Sequence, residues 1–415
     1  PGAYPESADS YLLENPGGKL VDVTAEKAPM LKKLGLVTSA VFSDANGDGR
    51  PDLLLAKEWG HVTLLENIKR GFVDRSEAAG FTPYLGWWNA IAPADLNEDG
   101  KLDYIVGNAG LNTKYLASKE RPTQLYYGVF DDSGKSQIVE AQYEDGDDKL
   151  YPIRPYSKLR YAFPGLEKKF DSFQSFANAT LEEVFSPEVL AAVKRLEADT
   201  LASGVFLSQP DGSFAFRQLP RLAQTSPIFG MSAHDFNGDG HTDLYALQNS
   251  FSPEPTTGRF NGGLSLLLLG DGTGGFTPVK TADSGLLVRG DAKALLAVDL
   301  DENGWADFLV AQNGESLLAF RNRAVDGAHS FAVKLEGSKG NRHGYGAKVT
   351  VRRADGSETL AELTSHAGYL SQSPAKLFFG YTDSNKPTEL RVTWPDGKQT
   401  RHRFDAANPT LVLKR

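Results

Sequence analysis

A nine-residue stretch that occurs four times constrains this 415-residue chain more than any other feature. Its fullest form is Asp235-Phe236-Asn237-Gly238-Asp239-Gly240-His241-Thr242-Asp243, and it returns at Asp44–Asp52, Asp95–Asp103 and Asp299–Asp307. Oxygen-bearing side chains fall at positions 1, 3, 5 and 9: Asp44, Asn46, Asp48 and Asp52; Asp95, Asn97, Asp99 and Asp103; Asp235, Asn237, Asp239 and Asp243; Asp299, Asp301, Asn303 and Asp307. Position 6 is always Gly, the residue a tight turn with positive φ requires. With the backbone carbonyl of position 7 (Arg50, Lys101, His241 and Trp305), each loop offers an all-oxygen site of formal charge −3. That donor set suits Ca²⁺ at ~2.3–2.6 Å, whereas no imidazole or thiolate stands at a ligand position to favour a transition metal. An EF-hand is excluded, because position 12 is Leu55, Val106, Ala246 or Val310 instead of the bidentate Glu that loop needs. Apolar runs precede and follow each loop, so the unit reads as strand, loop, strand. About four structural calcium sites are expected, with Glu98 at position 4 of its loop pointing outward.

These units resemble FG-GAP or VCBS repeats, the calcium-loop blades of integrin-α-type propellers, over roughly residues 1–325. The resemblance implies an all-β fold: an FG-GAP-type β-propeller with seven blades, or with six, or incomplete at the N-terminus. From about residue 330 the loops stop and seven short alternating segments follow, at 331–336, 346–353, 358–363, 376–380, 388–394, 399–404 and 410–414, which suits a small β-sandwich. Within them Asn341-Arg342, Gly344-Tyr345-Gly346-Ala347, Gly368-Tyr369-Leu370-Ser371-Gln372, Leu377-Phe378-Phe379-Gly380 and Trp394-Pro395-Asp396-Gly397 resemble the ASPIC/UnbV domain. Cartilage acidic protein, which shares this arrangement, carries EGF-type cysteines. This chain has none and looks like the bacterial branch.

Composition agrees with a turn-rich all-β protein, since Gly occurs 42 times and Pro 22 times. The lack of Cys removes disulfides, thiolate metal sites and Cys nucleophiles together. A net charge of −9 argues against nucleic acid and anionic membranes as partners. Four divalent cations would offset all but one of those charges. Loops of this kind fill where Ca²⁺ is plentiful, so a secreted, periplasmic or cell-surface location is expected. The longest apolar run, Leu264 to Leu269, is too short to span a bilayer. The opening Pro1-Gly2-Ala3-Tyr4-Pro5 reads as a processed or truncated start, and the chain as part of a longer protein or a surface complex.

Along the chain, residues 10–24 predict a hairpin resembling the two outer strands of a blade. The Asp44 blade reads as strands 38–43, 52–57, 61–67 and 72–76. The Asp95 blade starts the same way and departs into a long polar segment from Asn108 to Pro122. Val129-Phe130-Asp131-Asp132-Ser133-Gly134 looks like a decayed copy that binds no metal. Residues 150–200 break the β pattern. Two capping boxes and Ser186-Pro187-Glu188 place helices near 157–169, 171–178 and 186–198. Gly270, Gly272 and Gly275 match G-x-G-x-x-G by spacing, but a strand follows instead of a helix, so this is a hairpin turn.

No G-x-S-x-G elbow appears, and the nearest His pair, His343 and His366, lies among turn residues. Tyr151, Arg154, Tyr156, Lys158, Arg160 and Tyr161 form a basic and aromatic cluster that either holds an acidic sugar or packs the insert onto the propeller. In a four-stranded blade the acidic loops and the short turns share one face, and the long segments 108–122, 145–200 and 249–262 share the other. Binding residues concentrate on long loops over a rigid scaffold, which makes Trp87, Trp88, Arg154, Tyr156 and Arg160 ligand-face candidates. Adjacent side chains on a strand point opposite ways, so one of the two Trp is expected buried between blades and the other free at the rim of the principal pocket. The resulting expectation is a non-catalytic binding or adhesion module for a glycan or an extracellular protein. The alternative is a polysaccharide lyase or glycoside hydrolase on a propeller scaffold.

Overall fold

The computed structural model describes residues 4–144, 146–253, 257–324, 326–365 and 368–415. Each acidic loop joins the first and second strands of a separate antiparallel sheet. The first sheet comprises Leu36–Ser43, Asp52–Gly60, Thr63–Asn67 and Phe72–Asp74, in that order. The second comprises Ala90–Ala94, Asp103–Gly107, Gly204–Ser208 and Phe214–Gln218, and the third Ile228–His234, Asp243–Gln248, Leu266–Gly270 and Phe276–Pro278. The fourth has three strands, Ala292–Val298, Asp307–Gln312 and Leu318–Phe320. Their first strands lie side by side in chain order, the fan of a propeller. Among the described residues four sheets carry this blade pattern, against the seven expected. Close approach of the inner strands leaves no room for a side chain at Gly107, where a Cβ would meet the Ile228 carbonyl oxygen at 2.5 Å. Between the first two sheets Trp88 is fully buried against Phe206 and Phe216. The predicted hairpin at residues 10–24 narrows to Leu13–Glu14 paired with Val21–Asp22.

The insert between the second and third strands of the second sheet is not purely helical. Four strands, Leu150–Pro152, Ser136–Tyr143, Thr123–Val129 and Lys194–Ala198, pair in that order. Five short helices, Tyr156–Ala162, Leu166–Lys169, Phe173–Ala177, Leu181–Val184 and Pro187–Ala192, pack over one another and against Tyr126 and Phe130 of this sheet. Residues 194–198, expected at the end of a helix, form a strand because Thr123–Val129 offers them a full antiparallel ladder. The capping box at Thr180 forms as expected, with Glu183 reaching back to the Thr180 N–H at 2.8 Å. At Ser172 the reciprocal partner is Ser175. The Asp131 region is the hairpin between Thr123–Val129 and Ser136–Tyr143, and Gly270–Gly275 is likewise a hairpin turn.

All seven C-terminal strands form. Leu377–Thr382, Ala328–Glu336 and Thr410–Lys414 make one sheet, and Glu358–Glu362, Lys348–Arg353, Pro387–Thr393 and Gln399–Arg403 the other. Phe331, Val351, Leu390 and Trp394 fill a shared core between them. This sandwich sends a segment along the inner strands of the blades. Gly368 accepts from the Ser39 hydroxyl at 2.8 Å, the Tyr369 N–H reaches the Phe229 carbonyl at 3.2 Å, and Ser371 and Ser373 accept from the Leu295 and Ala297 N–H groups at 3.1 Å each. Three of the four blades therefore hydrogen-bond to this axial segment, which lies within the Gly368–Gln372 motif and the residue after it.

Candidate functional site: acidic loops and an aromatic cleft

The four loops share one hydrogen-bond plan, written by their side-chain spacing. The position-1 carboxylate accepts from the position-6 Gly N–H at 3.0, 3.1, 2.7 and 3.2 Å in chain order. The position-5 side chain accepts from the position-7 N–H at 2.8–2.9 Å. Position 6 has positive φ throughout, +84°, +78°, +100° and +86°. Position 4 shares that conformation. Gly47 and Gly238 adopt it freely, whereas Glu98 and Glu302 are held at +59°. The two Gly among four copies were the sequence signal for this, and the expectation of an outward Glu98 is corrected: its carboxylate contacts the His241 imidazole of the next loop.

Position 9 also departs from expectation. Asp52, Asp103, Asp243 and Asp307 were assigned as metal ligands, yet each spends both oxygens on backbone N–H groups. One oxygen accepts from position 2 of its own loop (Ala45, Leu96, Phe236, Leu300) at 3.1, 2.9, 2.9 and 2.9 Å. The other accepts from Asn67, Ser208, Gly270 or Asn322 beyond, at 2.8, 2.7, 2.9 and 2.7 Å. These carboxylates close the loop and tie it to its own blade. The position-7 side chains take no part in the donor set: Arg50 pairs with Asp48, Lys101 donates to the Gln209 carbonyl, His241 meets Glu98, and Trp305 is buried.

Burial raises the loop carboxyls, with neighbouring carboxylates adding to it: Asp52 and Asp235 to about 6, Asp95 to about 7 and Asp243 to about 8. Asp44 Oδ1 and Asp95 Oδ1 are buried without a hydrogen-bond partner, an arrangement that costs about 1–3 kcal/mol per group. Oxygens of Asp299, Asp301 and Asp307 lie within 4.8 Å of one another. Orphaned oxygens and an all-oxygen cluster fit a hard divalent cation, held by Asp44, Asn46 and Asp48 and their counterparts. The C-terminal sandwich supplies cations of its own on this face. Lys348 Nζ stands 2.8 Å from Asp44, Lys376 Nζ 3.6 Å from Asp299, and Arg353 donates to the Gly240 carbonyl at 3.2 Å.

On the opposite face, the insert, the 249–262 segment and the outgoing end of the first blade enclose a cleft of about 670 Å³. Trp87 pairs across strands with Glu58, which sets both on one side of the sheet. Between this pair and Gly60 the ladder is irregular, and there Trp59 is held at φ +56°, a costly conformation for a bulky residue. Trp59 meets Trp87 edge to face at 4.9 Å and 65°, and Trp87 meets Tyr115 at 4.6 Å and 85°. The Trp59 indole N–H donates to the Tyr4 hydroxyl, which donates in turn to Glu58 at 3.3 Å. Glu140 accepts from Tyr115 at 2.9 Å and from Arg154 at 3.2 Å. Burial pushes the Glu58 carboxyl up, and among the described residues no cation pairs with it. The Trp87 indole N–H is buried without an acceptor.

Of the ligand-face candidates, Trp87 and Arg154 line this cleft, and Trp88 is the buried member of its pair. Tyr156 and Arg160 do not reach it. Tyr156 is buried among the insert helices, its hydroxyl donating to the Phe170 carbonyl at 2.7 Å, and Arg160 pairs with Glu167 at 3.5 Å. The sequence missed Glu58, Trp59, Tyr115 and Glu140, which lie on strands and loops far apart in the chain. A larger recess of about 800 Å³ opens at the outer ends of the third and fourth blades, so the cleft is not the largest hollow. His343 stands beside Tyr345 at 5.8 Å, and His366 lies outside the described residues. No helix among the described residues is long and apolar enough to cross a membrane.

Comparison with known proteins supports the two-part reading. Residues 7–106 match the FG-GAP-like repeat family and residues 337–415 match the family described as ASPIC and UnbV. No curated protein matches the chain. Among solved structures, the Vibrio cholerae biofilm matrix protein Bap1 is similar at 11% identity and a TM-score of 0.23, over 94% of this chain and 52% of that one. This chain thus spans about half the length of that protein. BBS1N in its complex with ARL6DN is similar at 9% identity and a TM-score of 0.18, over 90% and 94% of the two chains.

Proposed function

From a chain that joins FG-GAP-like repeats to an ASPIC and UnbV domain, we propose a secreted, periplasmic or cell-surface binding module, stabilised by calcium in its acidic loops and non-catalytic. The repeats occupy 1–325 and the C-terminal domain 330–415, and the cleft at Trp87 recognises a glycan or an extracellular protein. One observation carries this reading: an aromatic-walled cavity within the ligand-site range of ~300–1,000 Å³ opens on the long-loop face, away from the acidic loops. A glycan array probed with and without EDTA tests it. Binding is expected with calcium, loss is expected with chelator, and Trp87→Ala is expected to abolish the signal while the protein stays folded. Retention of every signal in Trp87→Ala rejects the cleft as the site.

The enzymatic alternative rests on Glu58 and Glu140 sharing one cavity. Glycosidic chemistry needs two carboxyls with separate duties, but Glu140 is already committed to Arg154 and Tyr115. New reducing ends or unsaturated products from an acidic polysaccharide would favour the enzyme.

A further inference from the structure

The cleft has a charge and a shape that narrow its occupant, and this deepening rests on the binding reading above. Its ionisable wall groups are Glu58, Glu140 and Arg154, with the Tyr4 and Tyr115 hydroxyls. Arg154 is neutralised by Glu140 at 3.2 Å, which leaves Glu58 as the uncompensated charge. An acidic sugar, the ligand expected from the sequence cluster around Arg154, would therefore enter against a net negative wall. The rings argue in the same direction. A polysaccharide binding through flat stacking wants coplanar faces, whereas Trp59, Trp87 and Tyr115 meet at 65° and 85° and form the corner of a box. Faces converging from several sides on one point favour a cation over any neutral group. The same wall already holds one of the chain's own cations, since Lys293 Nζ sits 3.4 Å from the Phe229 ring centre. Burial of Glu58 disfavours its charged form, and a bound cation would relieve that cost. The strained backbone of Trp59 and the unpaired Trp87 N–H mark a wall shaped at the expense of stability, as ligand sites often are.

We propose that the cleft binds an amine-bearing saccharide, its ammonium group seated in the Trp59–Trp87–Tyr115 corner against Glu58. A cavity of about 670 Å³ takes a short oligosaccharide, where a lone lysine side chain would leave most of it unfilled.

The test is titration of the full chain, in calcium, by tryptophan fluorescence and calorimetry with four probes. These are a glucosamine tetramer with free amines, its fully N-acetylated counterpart, a uronic-acid tetramer and an oligolysine peptide. The expected result is binding of the free-amine tetramer at least about tenfold tighter than the N-acetylated one, and no binding of the uronate. Glu58→Gln, which keeps the shape, should remove that preference while leaving the melting temperature within a few degrees. Glu58→Ala, measured beside it, guards against an effect of the new amide. Equal binding of the two glucosamine tetramers, or a preference unchanged in both variants, overturns the proposal while the binding module stands. Oligolysine binding in preference to every saccharide also overturns it and makes the partner a protein. If no probe and no arrayed glycan binds, the functional reading itself fails.

Discussion

A single carboxylate at position 9 shows what a repeat sequence does and does not disclose. Its recurrence marked Asp52, Asp103, Asp243 and Asp307 as important, but spacing alone could not separate a metal ligand from a group that caps backbone N–H groups of its loop and blade. The pKa directions give a pH test with a definite sign. Asp52, Asp95, Asp235 and Asp243 have folded values of about 6, 7, 6 and 8, above the ~3.9 of an unfolded Asp. The folded chain then binds more protons, so without metal its stability is greatest at low pH and falls as pH rises from about 4 to 8. In EDTA the melting temperature should decline across that interval, and saturating Ca²⁺ should flatten or reverse the slope. A melting temperature indifferent to EDTA at pH 8 would refute structural calcium. Position 4 supplies a second test. Glu302 is exposed at φ +59°, so Glu302→Gly should relieve left-handed strain and stabilise by roughly 0.5 kcal/mol after the entropy of the glycine is counted. Denaturant midpoints at unchanged m would show it.

At the scale of elements, the blades were legible because loop and strand alternate with fixed spacing and each ladder is local. The insert was legible only where local chemistry decides. The Thr180–Glu183 capping box formed as read, whereas Lys194–Ala198 became a strand through pairing with residues about 70 positions earlier, the kind of contact that overrides propensity. Tyr156 and Arg160 were misplaced for the same reason: nearness to Arg154 in sequence said nothing of which side of the insert they would cover. The motif Gly368–Gln372 was recognised without its purpose, which is to hydrogen-bond along the inner strands. Gly368 has φ +69°, and a Cβ there would meet the Met231 nitrogen at 2.7 Å. Gly368→Ala should therefore dislodge the axial segment and cost more than about 1 kcal/mol, read as a lower melting temperature and faster proteolysis between residues 360 and 376. An unchanged melting temperature would show that the segment is dispensable.

Across the whole molecule, the C-terminal sandwich meets the acidic face through one cation per loop at three of four loops. Lys348 and a divalent ion compete for the same Asp44 carboxylate, 2.8 Å from the ammonium, so Lys348→Met should raise calcium affinity at that loop by about tenfold. Calorimetry on the variant and the parent measures it, and an unchanged affinity would mean that lysine and metal coexist. The axial segment also sets an order of events. The inner strands end at Val298, and their hydrogen-bonding partner at Gly368 is synthesised about 70 residues later, a delay of roughly 4–14 s at the usual pace of a ribosome. For those seconds the blades lack the partner that ties the first to the fourth, with Ser39, Phe229, Leu295 and Ala297 still unclaimed. Maturation of this protein is then a matter of timing, in which a fan of nascent sheets waits for a latch that follows it in the message.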